Sequence, residues 1–162
     1  MGCVGRGDAK TSCILLQTIH LYIFGVVYYY LTMRKDTENF IASAEYDLNT
    51  AEHMLKTGRY IYVIFMCHLS IEKMMKALSS EVTDKTPPKT HNLIYLTKLS
   101  GINFIEDHFE FVSKLNNASV VTRYPDDFKK LVEAYPEDIA ESYLRQTKEI
   151  IEWLKQNEKL RK

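Results

Sequence analysis

The sequence predicts an all-α protein, an antiparallel four-helix up-and-down bundle with an additional short helix. Three observations point there. Apolar residues recur at helical spacing in separate stretches, beginning with Phe40, Ala44, Leu48, Ala51 and Leu55. Glycine and proline are scarce, six and four in 162 residues, and three of those glycines fall within the first seven positions. The remainder is rich in Leu, Lys, Glu, Ala, Met and Tyr, a mixture that suits helices more than sheets.

The elements follow in order. The Phe40–Leu55 face leaves Glu45, Asp47, Asn49 and Glu52 largely elsewhere, and Gly58 fits the C′ position that ends this first helix. A second helix spans 59–80. Its first half, Tyr60 to Cys67, is apolar all round, as at a core or a subunit interface. Ile71, Met74, Met75 and Leu78 continue the helical period, which decides against a buried strand. Residues 83–88, with Pro87 and Pro88, make a loop. Thr90 is the expected N-cap of a short helix holding Leu93, Leu96 and Leu99 and opened by His91, and Ser100-Gly101 ends it. Asn103 to Glu106 has the form of a capping box, with Asn in place of Ser or Thr. The helix after it carries Ile105, Phe109, Val112 and Leu115 and runs to about Val121. Residues 123–135 read as irregular. Pro136 fits the first position of a last helix, with Glu137 and Asp138 favouring its positive end. Ile139, Tyr143, Ile150 and Leu154 mark its inner side, and Glu141 stands where it can pair with Arg145.

Charge and cysteine usage narrow the function classes. Lys plus Arg and Asp plus Glu both number 21, so binding of nucleic acid by overall charge is not indicated, which still leaves room for a local basic site. Cys3, Cys13 and Cys67 form no paired framework, no CxxC and no zinc-like His/Cys spacing. Neither a metal nor a cofactor is expected, and a cytoplasmic setting fits. Residues 13–33 form an apolar run of membrane-span length, with Arg6 and Lys10 on one side and Arg34 and Lys35 on the other. Gln17, Thr18 and His20 weaken it as a span. The expected division is therefore 1–32, an apolar leader or membrane segment outside the natural domain, and 33–162, the bundle. A membrane partner follows only if 13–33 is a true anchor, and an extra helix covering an apolar face is a third reading.

Three segments carry chemistry: His68-Leu69-Ser70-Ile71-Glu72-Lys73, then Pro88-Lys89-Thr90-His91-Asn92-Leu93, then Arg123-Tyr124-Pro125-Asp126. The Arg123 guanidinium matches phosphate geometry, and its structural alternative is an ion pair with Asp126, Asp127 or Glu72. Tyr124 can stack on a base or plug the core. Pro125 fixes the turn, and Asp126 orients the arginine or caps a short helix. His68 shares a helix face with Glu72, and His68 or His91 would serve proton transfer. For a lone helical histidine, a hydrogen-bonded interior place is the commoner outcome. His53 and His108 read as surface positions. Lys73, Lys76, Lys89 and the Lys129-Lys130 pair offer phosphate contacts or simply a solvated face. Met66, Met74 and Met75 read as core filling, like Cys67.

In this order and spacing, with Asp47-Leu48, Ala51 and Gly58-Arg59-Tyr60 before them, these segments resemble the HEPN domain family (higher eukaryotes and prokaryotes nucleotide-binding domain), in its Arg-Tyr-Pro-Asp branch. The resemblance covers about 36–153. It implies a helical bundle tied to nucleotide binding, RNA cleavage and toxin–antitoxin pairs. It also implies a homodimer whose arginine motifs face each other across a composite cleft, and a small nucleotidyltransferase as partner. Arg123, Tyr124, Asp126, Lys73 and Lys89 are then the nucleotide- or RNA-binding candidates, and Arg123, His68 and His91 the catalytic ones. RNA-cleaving members resemble one another in a histidine four to six residues after the arginine. Here Tyr124 to Lys130 contains none. Binding therefore ranks ahead of a metal-independent ribonuclease toxin, with a non-catalytic dimerisation adaptor as a further alternative.

Overall fold

The computed structural model describes residues 33–160, which fold as one unit from Arg34 onward. The apolar 13–33 run, and with it the leader-or-anchor question, lies outside the described residues apart from Met33. Among the described residues no helix is long and apolar enough to cross a membrane, and no strand occurs. The elements are α1 (Lys35–Lys56), α2 (Tyr60–Thr83), α3 (Leu93–Ser100), α4 (Glu106–Arg123), α5 (Phe128–Ala134), α6 (Glu137–Lys155) and a closing 3-10 turn (Glu158–Leu160). The fold is all-α as expected, with four long helices and two short ones, rather than one, among the described residues.

α2 is the central member and packs on α1, α3, α4 and α6. Its apolar first half led to an expectation of burial on several sides there, at a core or a subunit interface. Near-complete burial falls further along instead, where Ile71, Met74, Met75 and Leu78 are wholly covered. In the first half, Val63 and Ile64 point inward while Tyr62 is exposed and Ile61 and Phe65 are only partly covered. Leu115 of α4 and Ile150, Ile151 and Leu154 of α6 complete the core. Burying each such side chain contributes about 1.5–3 kcal/mol. Ser70 Oγ donates to the Ala44 carbonyl at 2.8 Å, and the Thr37 and Ser80 hydroxyls meet at 2.6 Å, tying α1 to α2 at two levels.

α1 ends as its glycine implies. Gly58 has φ +69°, its N–H donates to the Leu55 carbonyl at 3.1 Å, and the Arg59 N–H donates to Met54 at 2.8 Å. Those two bonds satisfy carbonyls the helix end leaves open.

Several local expectations are corrected. Thr90 is not the cap of α3. Asn92 is, its side chain accepting from the Tyr95 N–H at 2.9 Å, while Thr90 Oγ1 accepts from the Asn92 N–H. His91 therefore precedes the helix and does not open it. Asn103 caps nothing: α4 starts three residues later, with Ile105 at the N-cap and no side-chain bond. The buried face of α4 runs through Phe111, Val112, Leu115, Ala118 and Ser119, leaving Ile105 and Phe109 exposed. Residues 123–135 are not irregular throughout but contain α5. Arg145 pairs with Glu149, at 3.1 Å, and not with Glu141. His108 is not a free surface group. Its ring packs edge-on between Phe104 and Trp153, with centroids 6.3 and 5.4 Å away.

Candidate functional site

Arg123 is the last residue of α4. Pro125 disfavours helical backbone at the residue before it, and Tyr124 accordingly leaves the helix with φ −131° and ψ 66°. Asp127 then restarts the chain. Its carboxylate accepts from the Lys129 and Lys130 N–H groups at 3.0 and 3.2 Å and so caps α5. Asp127, and not Asp126, is thus the capping residue, and Asp126 is exposed. The Arg-Tyr-Pro-Asp segment is a sharp corner between two helices, with the arginine at its inner edge.

The guanidinium of Arg123 lies over the Phe65 ring, 5.1 Å from its centroid, and Nη2 is 3.4 Å from His68 Nδ1. Among the described residues no carboxylate pairs with it, so the ion pairs with Asp126, Asp127 or Glu72 do not form. An aromatic face holds a guanidinium without consuming its N–H donors. Those donors border a groove of about 370 Å³ lined by Ile61, Tyr62, Phe65, Thr122, Tyr124 and Phe128. A smaller hollow of about 170 Å³ shares Ile61, Tyr62 and Phe128 and reaches Arg59 and Tyr135. Tyr124 is 78% exposed, so it stands beside the groove and does not plug the core.

Behind the arginine, α2 supplies a polar column. His68 is fully buried and donates from Nε2 to the His91 carbonyl at 3.1 Å. A carbonyl can only accept, so the ring proton sits on Nε2 and the Nδ1 lone pair faces Arg123. Burial holds His68 down to about 4. Glu72 opposes that shift and the Arg123 charge adds to it. The imidazole is therefore neutral at physiological pH and serves as an acceptor.

Glu72, one turn on, is also buried. One oxygen accepts from Lys76 Nζ at 2.7 Å and the other from His91 Nδ1 at 2.8 Å, with His68 Nδ1 at 3.8 Å. The His91 side chain is itself 64% exposed.

The structure thus links Arg123 to His91 through the His68 ring, with Glu72 holding the His91 side chain. Lys73 is not drawn in, since its amine bridges to Asp47 of α1 at 2.5 Å. Lys89 is exposed in the loop two residues before His91. Among the described residues no group of three His, Cys, Asp or Glu is placed to hold a metal. Cys67 is buried and its thiol is pushed up to about 12 by desolvation, so it stays protonated and unreactive. Two contributors were missed in the sequence, Glu72 as the hub and Phe65 as the shelf under the arginine. The His68, Glu72, Lys76 spacing on one helix face was the available signal for the first.

The HEPN domain family model matches residues 37–158, and the chain belongs to the HEPN domain family. Among solved structures it is similar to TT1696 from Thermus thermophilus, at 21% identity and a TM-score of 0.64, over 75% of this chain and 98% of that one. It is likewise similar to ST0689, an archaeal HEPN homologue, at 25% identity and a TM-score of 0.62, over 75% of this chain and 97% of that one. No curated protein matches the chain.

Proposed function

We propose that this protein binds a nucleotide or RNA at the Arg123 corner and does so as a homodimer, with the two corners facing one another across a shared cleft. The observation that carries this reading is an arginine with no carboxylate partner among the described residues, seated on Phe65 and His68 and bordering an aromatic groove. Such a guanidinium suits a phosphate, and neighbouring rings suit a base. Exposed Tyr62, Tyr124, Phe128 and Val132 around the same grooves support a face that a second copy covers. The reading extends to the Arg-Tyr-Pro-Asp branch of the family, a natural domain starting near Met33, a cytoplasmic setting and a small nucleotidyltransferase partner in a toxin–antitoxin type module. Lys89 is kept as an auxiliary phosphate contact and Lys73 is assigned to structure. The test is thermal unfolding with and without nucleotides or short RNA. Ligand should raise the melting temperature, and Arg123→Ala should abolish that rise. A stable dimer with no ligand effect would favour the adaptor alternative.

A metal-independent ribonuclease is the second reading, favoured by one observation, the exposed His91 imidazole held by Glu72, with the His68 ring between the His91 backbone carbonyl and Arg123. Here Arg123 would steady the phosphate and His91 would move a proton. Single-stranded RNA and tRNA left uncut in EDTA, by wild type and Arg123→Ala alike, would remove it.

A further inference from the structure

The described residues hold four arginines. Arg34 pairs with Asp36 and Asp84, and Arg145 with Glu149. Arg59, like Arg123, meets no carboxylate among the described residues. It is exposed at the start of α2 and borders the hollow of about 170 Å³ between that helix and α5. This hollow and the groove at Arg123 share Ile61, Tyr62 and Phe128, so they form one continuous surface with an arginine at each end. Arg59 precedes Phe65, the ring under Arg123, by six residues, or about 9 Å along α2. The walls of the hollow are held from behind. The Tyr60 hydroxyl is hydrogen-bonded to Glu137, and Tyr135 packs edge-on against buried Tyr143, with centroids 6.2 Å apart. Phe128 and Val132, one turn apart, supply the α5 wall and are both exposed. The hollow is smaller than the about 300–1,000 Å³ of a site for a whole small ligand. Its size and its aromatic lining suit one flat ring.

We propose that this hollow is a second nucleotide subsite, which takes the base next along a single strand from the phosphate at Arg123, while Arg59 contacts that nucleotide's own phosphate. The ligand class is then an oligonucleotide of two or more residues and not a mononucleotide. The proposal rests on the nucleotide reading of the Arg123 corner, but its side chains are different ones. Stacking on rings is tolerant of base identity, which fits walls made of Tyr60, Tyr62, Phe128 and Tyr135 with no buried polar reader among them. A guanidinium with unspent donors matches a phosphate as a fork. A strand carries one phosphate per residue, so it presents an anion to each arginine with a ring between them.

The experiment is calorimetric titration of the full chain with uridine 5′-monophosphate, pUpU and pUpUpU, with sedimentation of each variant. Wild type should bind pUpU about five- to hundredfold more tightly than the monophosphate, as one further stacked base allows. It should bind pUpUpU little more tightly than pUpU. Arg59→Ala, at an exposed position, should remove most of that gain, keep monophosphate binding within about twofold, and reduce the log–log salt slope for pUpU by about 0.7. Val132→Trp, which fills the hollow from its α5 wall, should also remove the gain and spare the monophosphate. Arg123→Ala should weaken all three ligands. Equal binding of the monophosphate and pUpU by wild type, lost in Arg123→Ala, overturns the second subsite and leaves the corner reading standing. No binding of any of the three overturns both. Loss of the monophosphate along with pUpU in Arg59→Ala overturns the assignment of Arg59 to the second nucleotide. A dimer that turns monomeric in Arg59→Ala or Val132→Trp makes the hollow a seat for the second copy and overturns the proposal.

Discussion

At the residue scale, the environment of Arg123 separates charge from geometry. A lysine there would keep the positive charge but lose the planar fork and the stacking on Phe65. Arg123→Lys should therefore leave the ligand-free melting temperature nearly unchanged and remove most of the ligand-induced rise, as paired thermal scans would show. His68 makes a separate prediction. Its folded-state pKa is depressed to about 4 by burial, while in the unfolded chain it titrates near 6.5. Between those values the unfolded state binds more protons, so stability is fully present above about pH 6.5 and is lost as the pH falls toward 4. The contribution is on the order of 3 kcal/mol. Urea unfolding across that window should show the decline in wild type and a flatter profile in His68→Gln. A wild-type profile equally flat would refute the neutral, buried imidazole.

At the element scale, two short segments set the site's shape. α5 exists because Asp127 gathers two N–H groups at its start. Asp127→Ala should cost about 1 kcal/mol and raise amide exchange at Lys129 and Lys130 before it affects the rest of the bundle. Protection that stays unchanged there would show that packing of Leu131, and not the cap, forms this helix. The turn between α1 and α2 depends on Gly58. A Cβ there would meet only Tyr60 Oη at 4.0 Å, so space is not the constraint and φ +69° is. Gly58→Ala should lower stability by about 1 kcal/mol, read from the denaturation midpoint, with no loss of ligand response.

At the scale of the whole molecule, a formal net charge of zero leaves no general attraction for nucleic acid. Recognition has to come from the local arginine and its groove. The exposed aromatic face near that groove is the surface the homodimer reading uses. Phe128 is 64% exposed, so Phe128→Asp should shift a dimer to monomer in sedimentation while leaving helical content intact. A monomeric wild type would remove the shared cleft and leave a one-chain site. Inside, Leu115→Ala should cost about 2–5 kcal/mol, since that side chain is wholly covered at the heart of the bundle.

The sequence by itself determined the class and most of the framework. Four apolar stripes of helical period need a common core, Gly58 and Gly101 supply the left-handed residues that stop α1 and α3, and the three motif segments mark the family. It also marked Arg123, His68 and His91. It misplaced what depends on competition between neighbouring caps: Asn92 over Thr90, Asp127 over Asp126, and no side chain at the start of α4. Adjacent residues there offer similar oxygens, and the choice is made by where packing sets the helix. What only the tertiary structure decided is the wiring of the site. Arg123 and His68 are 55 residues apart in the chain, and His91 and Glu72 are 19 apart. Local pattern carries no information about which donor meets which acceptor across such separations. Packing α3 and α4 on α2 seated the arginine on an aromatic ring and left Glu72 to orient a histidine, because a buried carboxylate must find its donors wherever the bundle brings them.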